Sequence, residues 1–247
     1  VGDQPLEKSE CTCCGTCVAV CPTGAIMEKE RVYGGTTTTA VRTVCPFCGC
    51  GCGICLEIKD NCLVRVRPDE DSPLNGVTLC VRGSYGCDFV HSPERLTSPL
   101  VKVDGNFQAA SWDEALSIIA DKSNRIKESC GSNSLAVLGS SKCTNEENYL
   151  LQRFARCVLG TNNVDNGSRL YNSATYSVLR ETMGFRGTTS FLGELEESRV
   201  ILLVGASPDA SAPLVGYAIK RAIRRKHATL LVIDPRETEL AGWAHIW

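Results

Sequence analysis

Apolar and polar positions in the second half of the chain alternate in the manner of an α/β domain. Short apolar runs at residues 135–139, 200–204 and 230–233 have the length of buried parallel strands. The stretches between these runs carry apolar residues at helical spacing, and one such helix is expected near residues 214–226. Strand–helix–strand units of this length predict a parallel sheet with right-handed crossovers, in a doubly wound domain over residues 106–247.

Two helix starts in this region are placed by capping signals. Ser111 and Glu114 have the spacing of a capping box, and Thr144 and Glu147 repeat it. In a capping box the hydroxyl and the carboxylate each accept a backbone N–H that the first helical turn leaves unpaired. We therefore expect helices to begin just after Ser111 and just after Thr144.

Residues 40–105 follow a different pattern, which predicts a small β-rich module. Residues 63–67 alternate apolar and basic side chains, as a strand with one buried face does. Turn-forming residues cluster at 71–76. Four threonines at residues 36–39 connect this module to a short Cys-rich segment, residues 1–35.

Charge and hydropathy exclude several classes of function. The 247 residues carry 26 Lys and Arg against 28 Asp and Glu, with a net charge of −2, whereas phosphate binding needs a basic face. Nucleic acid is therefore not an expected partner. No apolar run approaches the ~18 residues that span a bilayer, and no secretory signal precedes Cys11, so we expect a cytoplasmic protein. The chain starts without Met and ends on the apolar residues 244–247, which indicates a portion of a longer protein.

Cysteine is the outlier of the composition, with 16 residues against 3 His and 2 Met. Ten of the sixteen fall between Cys11 and Cys55, in two tight groups. A disulfide framework suits short secreted chains, and this chain is neither short nor visibly secreted. The cysteines therefore indicate metal binding or redox chemistry.

The first cysteine group has the spacing of a bacterial ferredoxin motif. Cys11, Cys14, Cys17 and Cys21, followed by Pro, match C-x2-C-x2-C-x3-C-P, which binds [4Fe–4S] clusters. In two-cluster ferredoxins the fourth Cys binds the other cluster, so the fourth ligand of the first three cysteines stays open. Cys13 is an additional thiol beside them, and a zinc knuckle is the alternative interpretation.

The second cysteine group supplies four more thiolates. Cys45, Cys48 and Cys52 are followed 28 positions later by Cys80, which is enough for one closed [4Fe–4S] site. The glycines between them favour a loop over a strand. Two further cysteines, at positions 50 and 55, compete as ligands, and a four-cysteine zinc site is the alternative.

Five stretches along the chain carry a family resemblance. They are residues 79–83, 89–96, 143–149, 160–165 and 233–236. With the cysteine groups, they resemble the molybdopterin oxidoreductases, specifically the catalytic subunit of cytosolic formate dehydrogenases with ferredoxin-like N-terminal clusters. The resemblance implies three modules, a ferredoxin-like [4Fe–4S] half, a [4Fe–4S] domain and a truncated α/β molybdopterin domain, at residues 1–35, 40–105 and 106–247.

The same resemblance implies cofactors and partners. Two [4Fe–4S] clusters are expected, and the cluster of the Cys45–Cys80 group would lie beside a bis-pterin guanine dinucleotide holding Mo or W. Arg82 matches the basic position between that cluster and the pterin. The Cys11–Cys21 group would continue an electron relay toward another electron-transfer subunit, a flavoprotein or a ferredoxin-like protein.

The loops that hold the pterin nucleotide in this family are only partly matched. Ser207, Asp234 and Arg236 occupy matching positions at the ends of two predicted strands, where open α/β sheets bind ligands. The loop at residues 205–213 carries small residues where the family has Asn, Glu and His, so groups that would bind the nucleotide are missing. An Asp at the end of a strand is also a common turn residue, and Asp234 keeps that second interpretation.

The position of the metal ligand departs from the family more strongly. Where the family has Cys or selenocysteine followed by His, this chain has Tyr171 and Asn172. Tyr cannot supply a soft thiolate or selenolate to the metal, and Asn cannot take a proton near neutral pH as His does. We therefore assign no catalytic residue in this chain.

Three functions follow from these observations. The first is an iron–sulfur electron-relay subunit derived from a formate dehydrogenase-like subunit, without a working Mo or W site, and this hypothesis is favoured. The second is a catalytic subunit of a formate dehydrogenase-like enzyme with an atypical active site. The third is a zinc-bound structural or interaction module without redox activity.

Overall fold

The chain divides into two units in the computed structural model, which describes residues 4–9, 11–28, 37–185 and 187–247. Unit 1 consists of Val1–Arg95 with Thr189–Trp247, and unit 2 consists of Leu96–Thr188. Within these described ranges, every helix falls short of the length and apolarity that a bilayer span requires.

The first part of unit 1 is a three-stranded antiparallel sheet flanked by two short helices. Helix α1 precedes the sheet, its strands follow in the order β1-β2-β3, and α2 comes last; the bounds are α1 Thr16–Ala19, β1 Thr39–Val44, β2 Gly53–Lys59, β3 Cys62–Pro68 and α2 Val81–Tyr85. Asp60 and Asn61 join β2 to β3 with φ of 49° and 61°, as a two-residue hairpin turn requires. The alternating residues 63–67 lie within β3, as predicted.

Unit 2 contains a β-hairpin followed by alternating helices and short strands. Its elements are β4 Leu100–Val103, β5 Asn106–Ala109, α3 Trp112–Cys130, β6 Val137–Gly139, α4 Asn145–Arg153, β7 Val164–Asn166 and α5 Ser168–Met183. Both predicted helix starts are confirmed. The Ser111 hydroxyl accepts the Glu114 N–H at 3.2 Å, and Thr144 with Glu147 forms the reciprocal pair of bonds at the start of α4. A π-helical turn, Phe154–Leu159, extends α4.

The last part of unit 1 is a parallel strand pair with a long helix packed on it. Its elements are α6 Leu192–Glu196, β8 Val200–Val204, α7 Pro208–Ser211, α8 Pro213–Lys226 and β9 Thr229–Ile233. Strand β8 pairs in parallel with β9, and α8 connects back across them. The buried apolar cluster between them contains Ile201, Ile219, Ala222, Ala228, Leu230, Val232 and Leu240.

The parallel strands are arranged differently from the single sheet that the sequence predicts. In the described residues β6 pairs with β7, and β8 pairs with β9, in two separate two-stranded sheets. The apolar run at 135–139 forms only a three-residue strand. Leu138 at the centre of this strand is 76% exposed, so the run is not the buried strand that its apolar residues predict. The architecture is therefore an iron–sulfur-type β module followed by mixed α/β structure, and the larger doubly wound sheet stays a prediction.

Candidate functional site

The second cysteine group converges in the core of unit 1. Cys45 follows β1, Cys52 precedes β2, and the Cys45 N–H donates to the Cys52 carbonyl at 2.8 Å, which closes the loop between them. Cys80 precedes the first turn of α2. All three are buried in one apolar cluster that includes Ile54 and Leu79. Segments far apart in the sequence are thus brought to one place.

The thiols of this group influence one another strongly. Burial raises the pKa of Cys52 to about 12, and charge on the neighbouring thiols of residues 45, 48, 50 and 80 acts in the same direction. Burial likewise raises the pKa of Cys45, against smaller opposing effects of the Phe47 backbone N–H and the Arg82 guanidinium. Several thiolates in an apolar pocket are unfavourable unless a cation is bound to them, because both desolvation and mutual repulsion disfavour the charged form.

The two competing cysteines of this region lie in different places. Burial raises the pKa of Cys50 to about 11, with Cys48 and Cys80 close enough to act on it, so Cys50 lies within the same group. Cys55 is on β2 opposite Arg42 of β1, whereas Cys52 and Ile54 face the core. Because side chains alternate along a strand, Cys55 lies on the other face of the sheet and is not brought to this group.

The donor chemistry of the second group fits an iron–sulfur cluster. All sixteen cysteines of the chain are free, so none of the candidate thiols is held in a disulfide. Within the described ranges, no three His, Cys, Asp or Glu side chains are arranged to hold a single metal ion by themselves. In a cubane each thiolate binds a different iron atom, so its ligands do not have to meet at one ion. The predicted ligands are Cys45, Cys48, Cys52 and Cys80, with Cys50 in the same group as a competing thiol.

The first cysteine group lies on a loop that leads into α1. The Cys13 N–H donates to Cys11 Sγ at 3.4 Å, and charge on Cys11 raises the pKa of Cys13, with Cys14 acting in the same direction. These three thiols are therefore neighbours. Gly15 follows with φ of +76°, a left-handed conformation that glycine adopts freely. Cys17 is exposed on α1.

Cys21 has surroundings of its own after α1 ends. Backbone N–H groups of Ile26 and Thr23, together with the Thr23 hydroxyl, lower the pKa of Cys21 to about 7. The Ala25 N–H acts in the same direction, so the groups bonded to this thiol all come from residues 23–26. That Cys21 is a cluster ligand stays a prediction.

Thiol reactivity in the cluster-free protein should separate the two groups. At about pH 8, Cys21 is mostly thiolate and Cys52 almost entirely thiol, so iodoacetamide should label Cys21 at least about tenfold faster. Labelling of Cys21 should fall as the pH drops through about 7, because its thiolate is then protonated. Peptide mass spectrometry over a time course measures both rates, with the exposed Cys62 as reference. Equal labelling rates for Cys21 and Cys52 would contradict the lowered pKa of Cys21 and the raised pKa of Cys52.

Arg82 and Ser207 each bond to residues of the loop and short helix after β8. The Arg82 guanidinium donates to the carbonyl oxygens of Ala210 and Ser211, at 3.0 and 3.2 Å. The Ser207 hydroxyl donates to the Asp209 carboxylate at 3.1 Å. Both polar side chains are thus bonded within their own unit, and Arg82 links α2 to the end of α7.

Asp234 and Arg236 are paired with each other after β9. The Asp234 side chain is only 2% exposed and accepts the Arg236 N–H at 2.9 Å, a bond that holds the pKa of this carboxyl below its usual range. The Gly205 N–H donates to the Ile233 carbonyl at 2.8 Å, so the carboxyl ends of β8 and β9 meet. Asp234 and Ser207 therefore follow adjacent strand ends, although Asp234 has the bonding of a turn residue.

Tyr171, which the sequence predicts at the family's metal-ligand position, lies on a helix of unit 2. Tyr171 is on the first turn of α5, 64% exposed, and its hydroxyl shares a hydrogen bond of 3.2 Å with the Ser141 hydroxyl after β6. Asn172 follows it on the same helix. The group at this position is a hard phenol oxygen, which does not fit a soft Mo or W site.

Two polar residues that the sequence did not indicate connect the cysteine groups of unit 1. The Ser84 hydroxyl donates to the Cys14 carbonyl at 2.7 Å, and Tyr217 of α8 shares a hydrogen bond of 3.0 Å with Thr12. The partners are 70 and 205 positions apart in the sequence, so no local pattern reveals them.

Comparison with known families gives two matches that together cover most of the chain. Residues 38–92 match the Molybdopterin oxidoreductase Fe4S4 domain, and residues 95–246 match the Molybdopterin oxidoreductase family. These matches indicate an iron–sulfur cluster and a molybdopterin cofactor as the cofactors of the family.

Individual relatives agree with these matches. "Probable oxidoreductase YjgC" of Bacillus subtilis is 36% identical over 97% of this chain and 28% of its own length, and "Putative formate dehydrogenase YrhE" of the same organism is 39% identical over 88% and 22%. The chain thus spans about a quarter of the length of these curated relatives. Among solved structures, acetylene hydratase from Pelobacter acetylenicus superposes with a TM-score of 0.70 at 25% identity, over 83% of this chain and 29% of that one. The chain belongs to the molybdopterin oxidoreductase family and carries the iron–sulfur domain of that family ahead of its molybdopterin domain.

Proposed function

We propose that this chain is an iron–sulfur electron-relay part of a multi-subunit oxidoreductase, derived from a formate dehydrogenase-like subunit. The observation that carries the proposal is the burial of Cys45, Cys52 and Cys80 in one core, with Cys48 in electrostatic contact, in the same unit as the first cysteine loop. When bound, a [4Fe–4S] cluster supplies one-electron oxidation and reduction.

The surrounding residues supply the environment that such a role needs. Ile54 and Leu79 are fully buried beside the thiols and exclude water from them. The Phe47 backbone N–H and the Arg82 guanidinium oppose the burial that raises the pKa of Cys45, so both favour its thiolate form. The loop between Cys45 and Cys52 is closed by a backbone hydrogen bond, which fixes the spacing of its thiols.

The chain's own side chains do not support a working Mo or W site. Tyr171 offers a phenol oxygen bonded to Ser141 where the family has a thiolate or selenolate. Ser207 and Asp234, at the strand ends that would face a pterin nucleotide, are bonded to neighbouring residues of their own loops. We therefore derive no reaction step at a pterin-bound metal.

Another electron-transfer subunit is the proposed partner, a flavoprotein or a ferredoxin-like protein. The first cysteine loop presents the exposed Cys17 at the surface of unit 1. Two basic residues of α8 are bonded to acidic residues of the same unit, Arg221 to Glu196 and Lys226 to Glu197.

The names of the relatives favour a second candidate, a formate-oxidising Mo or W enzyme with an atypical metal ligand. Metal content and turnover separate the two candidates. The relay proposal expects the full-length protein to contain Mo and W far below one atom per chain and to reduce no dye with formate. Mo or W near one atom per chain, together with formate-dependent dye reduction, would overturn it.

Restoring a thiol at the metal-ligand position should not restore formate oxidation. Tyr171→Cys is expected to leave formate-dependent dye reduction at background, because the loop at 205–213 still lacks the groups that would bind a pterin nucleotide. Tyr176→Cys on the same helix is the matched control. Formate oxidation in the Tyr171→Cys variant alone would show that the loop retains its binding function.

A further inference from the structure

The two cysteine groups are joined by hydrogen bonds at two points. Helix α2 begins directly after Cys80, and its Ser84 N–H donates to the Cys80 carbonyl at 3.0 Å. The hydroxyl of the same serine donates to the Cys14 carbonyl at 2.7 Å. One buried residue thus bonds to the backbone of a cysteine from each group.

A second connection runs through the aromatic ring of Tyr217. This half-buried side chain packs against the apolar cluster that contains Cys45, Cys52 and Cys80. Its hydroxyl lies 3.0 Å from the Thr12 hydroxyl, in the first cysteine loop. Burial raises the pKa of Tyr217 against the lowering effect of the Thr12 hydrogen bond, and charge on Cys14 and on Cys80 adds to the rise.

The first cysteine loop also packs closely against α2 at Gly15. A methyl group on Gly15 would lie 2.5 Å from the Tyr85 hydroxyl and 3.2 Å from the Ser84 hydroxyl. The backbone between Cys14 and Cys17 is therefore held directly against the helix that follows Cys80.

We propose that Ser84 and Tyr217 are positioning residues that fix the first cysteine loop on the second cysteine group and so set electron transfer between their clusters. The inference rests on the proposed relay function. The transfer moves one electron, which oxidises the donor cluster and reduces the acceptor, and it breaks no bond and moves no proton. Its rate depends on the distance and packing between the groups, which these two residues hold.

The test uses Tyr217→Phe, Thr12→Val and Ser84→Ala variants of the full-length protein, with Tyr176→Phe as control. Two readouts apply: the magnetic coupling between the two reduced clusters in low-temperature EPR, and the rate of electron redistribution after rapid one-electron reduction. We expect Tyr217→Phe and Thr12→Val to weaken the coupling alike, since each removes the same bond. Adding Ser84→Ala to Tyr217→Phe should slow redistribution by about tenfold, equivalent to about 1.4 kcal/mol.

Iron and sulfide counts separate the possible failures. If the wild-type protein holds no clusters, the relay proposal itself fails. If wild type and variants hold both clusters but coupling and rate stay unchanged, the positioning role is wrong. If Ser84→Ala loses a cluster, the test rests on Thr12→Val, which alters only an exposed partner of Tyr217. An unchanged magnetic coupling in Thr12→Val then overturns the inference. Amide hydrogen exchange at residues 11–21 of the cluster-free protein should also quicken in Tyr217→Phe.

Discussion

Replacing Cys80 with serine is expected to remove about four irons and four sulfides per chain and the EPR signal of one cluster. Cys80 is buried at the start of α2 and reaches the group from a segment other than the loop that carries Cys45, Cys48 and Cys52. Cys52 has Cys50 on its own loop as a substitute thiol. A serine hydroxyl is a hard and weak ligand for iron compared with thiolate.

Cys55→Ser is the matched control for this experiment. Cys55 lies on the other face of β2, opposite Arg42, so its loss should leave iron, sulfide and EPR unchanged. Retention of both clusters in Cys80→Ser, or loss of one in Cys55→Ser, would show that the assigned ligand set is wrong.

The second large effect is expected at Ile54, which is 1% exposed in the core beside the second cysteine group. Ile54→Ala should lower the free energy of unfolding by about 2–5 kcal/mol, because it removes buried methyl groups and leaves a cavity. The cluster should also bleach faster in air, since the cavity admits oxidant and water to the thiolates.

Val41→Ala on the neighbouring strand β1 provides the comparison, as Val41 is 43% exposed. Its effect on the unfolding free energy should stay within about 0.5 kcal/mol. Anaerobic urea unfolding followed by circular dichroism measures both variants. Similar shifts for the two would mean that Ile54 does not belong to the core that encloses the cluster.

Local patterns predict the helices and strands well where apolar runs, helix periods or capping signals are strong. The predicted strand at 200–204 has the same bounds as β8. The predicted strand at 230–233 is β9 and the predicted helix at 214–226 is α8, and each begins one residue earlier than predicted. The capping signals at Ser111 and Thr144 also hold, because a cap depends only on residues three positions apart.

Long-range arrangement is the part that the sequence could not provide. The spacing of the cysteines indicates which thiols bind iron, but it cannot tell whether Cys50 or Cys55 joins them; the pleat of β2 excludes Cys55. The bonds of Ser84 and Tyr217 to the first loop join segments 70 and 205 positions apart. For Asp234, the bond to the Arg236 N–H shows a turn role that residue type alone left open.

Metal analysis combined with low-temperature EPR, on full-length protein purified without oxygen, tests the relay account most directly. The account predicts about eight irons and eight sulfides per chain from the two cysteine groups, signals of two clusters on reduction, and negligible zinc. One or two zinc ions per chain without sulfide or a reduced-state signal would contradict it and establish the cysteine groups as structural zinc sites.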